Sequence, residues 1–158
     1  MARAIRVALE NDYEIVLEGL RALLRPYASE IRVVEVDIKR QPRRRVDVTL
    51  LDTYGETEDV EPRVADLVAD PAAGAVVIFS FSDHQRLVRR VLKAGAVGFI
   101  SKAVSATEIV DGIRAIARGE RVVLHRRTQR GARSPDKTSS VLTDNTTAPV
   151  RSNPGREG

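Results

Sequence analysis

The sequence has no cysteine, only two histidines (His84 and His125) and no long apolar run. Without cysteine there is no disulfide framework, no thiol nucleophile and no zinc–thiolate site. Two histidines cannot supply a multi-histidine metal centre. No stretch approaches the roughly 20 apolar residues that a membrane-spanning helix requires, so no membrane partner is expected. The opening residues, Met1-Ala2-Arg3-Ala4-Ile5-Arg6-Val7, meet charge too soon for a secretory signal. That points to a cytoplasmic location.

What is present suits a folded domain. The chain has 158 residues, 42% hydrophobic and 30% charged, enough for one real core but not for two large ones. The net charge is +4, and it is unevenly placed. Residues 125–158 carry seven basic and three acidic side chains, whereas residues 1–124 carry 19 of each. A neutral body is not a nucleic-acid-binding surface by composition. The tail alone could touch phosphate backbones without sequence preference, although a solvated linker is the commoner origin of such a segment.

The chain changes character after Leu124. Residues 125–158 are rich in Arg, Ser, Thr, Asn, Pro and Gly, with no sustained apolar period. They cannot bury enough surface to offset their ordering entropy, so they read as a disordered basic tail or linker. Residues 1–124 read as the folded domain. There, β-rich runs at Ile5–Leu9, Ile31–Val36, Val46–Leu51, Ala75–Phe79 and Val97–Ile100 alternate with helical patterns. Ile15, Val16, Leu20, Leu23 and Leu24 mark one helix, which Pro26 ends; Val60, Val64, Leu67 and Val68 mark a second. Leu87, Val88, Val91 and Leu92 mark a third, entered through Ser82 and Asp83. Ile109, Val110, Ile113 and Ile116 mark the last, with a capping box at Ser105-Ala106-Thr107-Glu108 and Gly119 at its end.

Five apolar strands alternating with amphipathic helices imply an α/β fold, a doubly wound five-stranded parallel sheet covered on both sides. One crossover is short. Asp37–Arg45 must join the second strand to the third, and Pro42 interrupts it. A crossover normally needs a dozen or more residues and a helix, so that helix reads as reduced to a turn or extended loop. Its Lys39, Arg40, Arg43, Arg44 and Arg45 are either a binding patch or a loop kept soluble by charge.

In such sheets ligands bind beyond the carboxyl ends of the strands. There the sequence places Glu10, Asn11 and Asp12 after the first strand, Asp52 after the third, Ser80 and Ser82 after the fourth, and Ser101 and Lys102 after the fifth. Carboxylates with a backbone carbonyl suit a hard divalent cation such as Mg²⁺. A hydroxyl beside a lysine suits phosphoryl oxygens, and an aspartate there can become an aspartyl-phosphate. Each residue also has a plain reading. Asp12 could cap the first helix, Asp52 could begin a loop, Ser80 could be a satisfied core hydroxyl, and Lys102 a surface lysine. Glu10 would turn away within the first strand.

Taken in order, Asn11-Asp12-Tyr13-Glu14, Leu50-Leu51-Asp52, Ile78-Phe79-Ser80 and Gly98-Phe99-Ile100-Ser101-Lys102 resemble the receiver domain of two-component response regulators. Ile15–Leu20, Ala94–Phe99 and Ile113–Glu120 resemble its NarL/LuxR branch in particular. The resemblance covers about residues 4–124 and implies a flavodoxin-like, CheY-like sheet in the order 2-1-3-4-5. It implies Asp52 as phosphoacceptor, charged by a sensor histidine kinase. Asp12 and Asp52 would hold Mg²⁺ with the backbone carbonyl of Tyr54. Ser80 and Phe99 would be the switch pair, and Lys102 the partner of the phosphate. The reporting surface would include Arg86, Arg89, Arg90 and Lys93, acting through a homodimer or a partner.

The sequence departs from the family in three places. Asn11 stands where the first of two acids is usual, which weakens its claim as a metal ligand. Thr53–Glu58 replaces the usual loop after the phosphoacceptor. The second crossover helix is nearly gone. No helix-turn-helix pattern follows the linker, so DNA is expected as a partner only through such a domain elsewhere. The chain therefore reads as an atypical phosphorelay receiver, self-phosphorylating but not an enzyme in turnover. Two rivals stay open: a phosphorylation-independent interaction or ligand-binding module, and an aspartate-nucleophile phosphohydrolase. The second is weakened by Tyr54, where a second acid is usual.

Overall fold

A computed structural model describes residues 2–11, 13–34, 45–53 and 60–126. Strand β1 (Ile5–Glu10) leads into helix α1 (Glu14–Leu24). A 3-10 turn over Arg25–Tyr27 follows, with Pro26 in its first turn. Proline lacks the N–H that the next α-helical bond would need, which is why α1 stops there. Strand β2 is Ile31–Val34 and β3 is Val48–Thr53. Then come α2 (Val60–Ala69), β4 (Ala75–Ser80), α3 (Gln85–Lys93), β5 (Gly98–Ser101), α4 (Ala106–Ala117) and β6 (Val122–Leu124). The reduced crossover helix, the basic cluster Lys39, Arg40, Arg43 and Arg44, and the tail from residue 127 lie outside the described residues.

All strands pair in parallel, in the order β2-β1-β3-β4-β5-β6. The expected order 2-1-3-4-5 is therefore extended by one strand. Three residues are too few to show a period, so Val122–Leu124 gave no strand signal of its own. It pairs with β5 from Gly98↔Val122 to Ile100↔Leu124. Two glycines make room for it. A Cβ on Gly98 would stand 2.9 Å from the Val122 carbonyl oxygen, and one on Gly112 would stand 3.0 Å from the Leu124 side chain.

Successive strand residues point to opposite faces, and the core divides accordingly. Val7, Leu9, Val48, Leu50, Val77, Phe79 and Ile100 pack with Leu20 and Leu24 of α1 and with Ile109, Val110, Ile113 and Ile116 of α4. Leu51, Val76, Ile78 and Phe99 pack with Val60, Val64 and Leu67 of α2 and with Leu87, Val88 and Val91 of α3. Every residue of β3 is buried, as expected of a central parallel strand. The capping box before α4 is complete: the Ser105 hydroxyl accepts from Glu108 N, and the Glu108 carboxylate accepts from Ser105 N. Helix α3 begins at Gln85 with His84 at its N-cap and no side-chain cap, so Ser82 and Asp83 lie in the loop before it.

Candidate functional site

The polar residues meet where β1, β3, β4 and β5 end. Asp52 and Ser80 are not past their strands but within them, since β3 runs to Thr53 and β4 to Ser80. Ladder pairing extends the strands further than apolar character alone suggests. The register aligns Asp52 with Phe79, Thr53 with Ser80 and Ser80 with Ser101. On the other side Glu10 is level with Leu51, so Asn11 comes next to Asp52.

Alternation then decides which face each residue serves. Asp52 lies two residues after Leu50, on the α1–α4 face; Ser80 lies two after Ile78, on the α2–α3 face. Lys102 lies two after Ile100, on the same face as Asp52. Strands β3 and β5 are separated by β4, so Lys102 must span roughly 10 Å of sheet to reach Asp52. Its flexible four-carbon stem permits this. The ammonium passes 5.5 Å from the centroid of the Phe79 ring and pairs with Asp52 Oδ1. The two side chains are 7% and 6% exposed. The Lys102 backbone N–H donates to the Ser80 carbonyl at 2.8 Å, which fixes the root of the side chain. A buried ion pair holds because each charge compensates the other; alone, either would be strongly unfavourable.

Ser80 is fully buried, and its hydroxyl donates to the Thr53 carbonyl at 3.1 Å while accepting from Ser82 N at 3.1 Å. The structure thus joins Asp52 and Lys102 directly and keeps the Ser80 hydroxyl on its neighbour's backbone. Phe99 is also fully buried, in the α2–α3 core, with the His125 ring 6.1 Å away and tilted by 30°. Ser101 is buried and accepts from Ala103 N at 3.2 Å, shaping the turn that launches Lys102.

Asn11 behaves differently from a ligand. Its Oδ1 accepts from Tyr13 N at 2.6 Å, and its Nδ2 is buried without a partner. The oxygen that would face a cation is turned to the chain entering α1, and the remaining atom is a donor. The Asn11 side chain thus ties down the residue that leads into α1. Asp12 and Tyr54 lie outside the described residues. The remaining donor chemistry still fits a hard cation: Mg²⁺ is commonly held by one or two carboxylates plus waters and substrate phosphates, and Asp52 supplies one carboxylate.

Two features of the site had little sequence signal. Phe81 lies beside the pair, with its ring centroid 5.3 Å from the Lys102 ammonium. The only hint was that Phe79 and Phe81 are two of the chain's three phenylalanines. Arg90, expected on the reporting surface, instead holds the Glu61 carboxylate of α2 through Nε and through Nη2 at 2.7 Å. Arg86, Arg89 and Lys93 remain exposed on α3.

No protein-family model matches the chain. Among curated proteins it is similar to the response regulator UvrY of Escherichia coli strain K12, with 30% identity over 149 residues, covering 86% of this chain and 66% of that one. It is also similar to the transcriptional regulatory protein LiaR of Bacillus subtilis strain 168, with 32% identity over 125 residues, covering 73% and 57%. The chain therefore spans about two thirds of the first relative's length and less of the second. Among solved structures, the NarL signal receiver domain from Mycobacterium tuberculosis is 26% identical with a TM-score of 0.60, covering 75% of this chain and all of that one. The isolated REC domain of RcsB from Salmonella enterica serovar Typhimurium has a TM-score of 0.64 at 18% identity, covering 75% and 92%, and speaks for the fold alone.

Proposed function

This chain belongs to the receiver domains of NarL/LuxR-type response regulators, and we propose that its Asp52 accepts a phosphoryl group from the phosphohistidine of a sensor histidine kinase. The observation that carries the proposal is the buried pair between Asp52 and Lys102 at the carboxyl end of the sheet. A carboxylate oxygen of Asp52 attacks phosphorus as the bond from phosphorus to the imidazole nitrogen breaks. The imidazole keeps the electron pair, and the product is an aspartyl phosphate. Negative charge grows on the phosphoryl oxygens, and Lys102 stands ready to follow it with no reorganisation of solvent.

Mg²⁺, when bound by Asp52, Asp12 and the Tyr54 carbonyl, would neutralise phosphoryl charge. Asn11 is left out of that set, because its oxygen is engaged by Tyr13 N. The Ser80 hydroxyl can leave the Thr53 carbonyl and donate to a phosphoryl oxygen instead. That exchange would move the turn through Ser82, whose N–H rests on Ser80 Oγ. Phe99 shares a core with Ile78, two residues before Ser80, and would respond to that movement. The readout would pass through the surface of α3, β5 and α4, by homodimerisation or partner binding. Because relatives are named transcriptional regulatory proteins, regulation of transcription in the cytoplasm is the proposed output. The chain performs one acceptance per site and is not proposed to turn over substrate.

Intact-mass spectrometry after incubation with acetyl phosphate and Mg²⁺, run beside Asp52→Asn, tests this reading. One phosphoryl adduct on the parent and none on the variant is expected. An adduct of equal extent on Asp52→Asn would overturn it.

A further inference from the structure

Phe81 is one of the most exposed large apolar residues described, at 69%, yet the Lys102 side chain beside it is only 7% exposed. Lys102 is flanked by two rings, with Phe79 at 5.5 Å and Phe81 at 5.3 Å from the ammonium. Phe79 belongs to the core and its place is set by packing. Phe81 follows the last residue of β4 and belongs to neither core cluster. An exposed apolar ring needs a reason to stay where it is, and the cation at its face supplies one.

We propose that Phe81 is a positioning residue: its ring holds the Lys102 ammonium against Asp52 from the solvent side, by a cation–π contact. The functional consequence rests on the phosphoacceptor reading. Hydrolysis of the aspartyl phosphate requires a water oxygen to attack phosphorus. The bond from phosphorus to the Asp52 oxygen then breaks, the carboxylate leaves with the electron pair, and the water gives a proton to solvent. A lysine held at the phosphoryl group from the open side shields it from that water. Phe81 therefore lengthens the life of the phosphorylated state.

Two measurements test this on the whole chain. The first needs no phosphorylation: acetic anhydride labels lysine amines, and peptide mass mapping compares Lys102 with the exposed Lys93 as internal reference. In Phe81→Ala and Phe81→Leu, Lys102 is expected to label roughly two- to five-fold faster, the change a contact of this class supplies. Phe81→Tyr should label like the parent, because it restores the aromatic face. Parent-like labelling in Phe81→Leu would overturn the proposal, since a merely covering side chain would suffice. Equal labelling in all four proteins would overturn it too. The exposed position makes loss of folding an unsuitable explanation, and circular dichroism checks that. The second measurement is the lifetime of the acetyl-phosphate adduct, expected to shorten by a similar factor in Phe81→Ala and Phe81→Leu. Unchanged lifetimes would overturn the functional half. If the parent forms no adduct, the phosphoacceptor reading fails, and the labelling comparison still decides whether Phe81 holds Lys102.

Discussion

Lys102 lies in the turn after β5, yet its ammonium pairs with Asp52 of β3, on the far side of β4. The side chain crosses the sheet over the Phe79 ring. Each partner is less than a tenth exposed, so water does little to stabilise either charge alone. The Asp52 carboxylate is thus oriented by a residue that arrives from two strands away. A shorter cation could not make that reach.

Lys102→Met should leave the Asp52 carboxylate buried without a counter-charge. Removing one partner of a buried pair costs about 3–5 kcal/mol, so the urea midpoint at neutral pH should fall sharply. Combining it with Asp52→Asn removes both charges and should recover most of the loss. A double variant no more stable than Lys102→Met would show that the pair contributes little to folding.

Gly98→Ala should loosen β6 selectively. The added Cβ stands 2.9 Å from the Val122 carbonyl oxygen, and backbone cannot yield there without shifting the strand. Hydrogen exchange should speed up at Val122, Val123 and Leu124, while protection in β1, β3 and β4 is retained. Uniform loss of protection across the sheet would mean that β6 is not a separable edge.

Ser105→Ala should weaken the start of α4. It removes an N-cap acceptor for Glu108 N and one half of a capping box. The expected loss is about 1 kcal/mol by chemical denaturation. Ser105→Thr, which keeps a hydroxyl at the N-cap, is the control and should change stability less.

The Arg90 guanidinium, hydrogen-bonded to Glu61, holds that carboxyl below the usual carboxylate range. A carboxyl depressed in the folded state adds stability above its unfolded value. That stability is lost as pH falls from about 4.3 through the lower folded value. Glu61→Gln should therefore lower stability across the neutral region, where the contribution is fully present, and converge on the parent at the acid end, flattening part of the acid limb. Melting temperatures of parent and variant between about pH 3 and 7 check this; parallel curves would remove the bridge from the account.

Much of this was legible in the residues. The strand and helix order followed from runs such as Ala75–Phe79 and from the spacing of Ile109, Val110, Ile113 and Ile116, because periodicity directly records burial. The capping box could be read because its partners are three residues apart. Asp52, Ser80 and Lys102 were legible as polar residues at strand ends. Other features were not. Val122–Leu124 becomes a strand only against β5, where Gly98 and Gly112 leave space. Asn11 resembles a metal ligand in sequence, but its oxygen is engaged by Tyr13 N. Arg90 looked like open surface until α2 brought Glu61 to it.

The sequence by itself determined which elements form, in what order, and which polar residues come at the strand ends, because these depend on neighbours within a turn or two of the chain. Only the tertiary structure decided that Asp52 and Lys102 share one face while Ser80 serves the other, and that two phenylalanines flank the lysine. Those relations depend on register across three strands, where a slip of one residue would turn each side chain to the opposite face. No local pattern encodes that register; it is fixed by burial on both sides of the sheet at once.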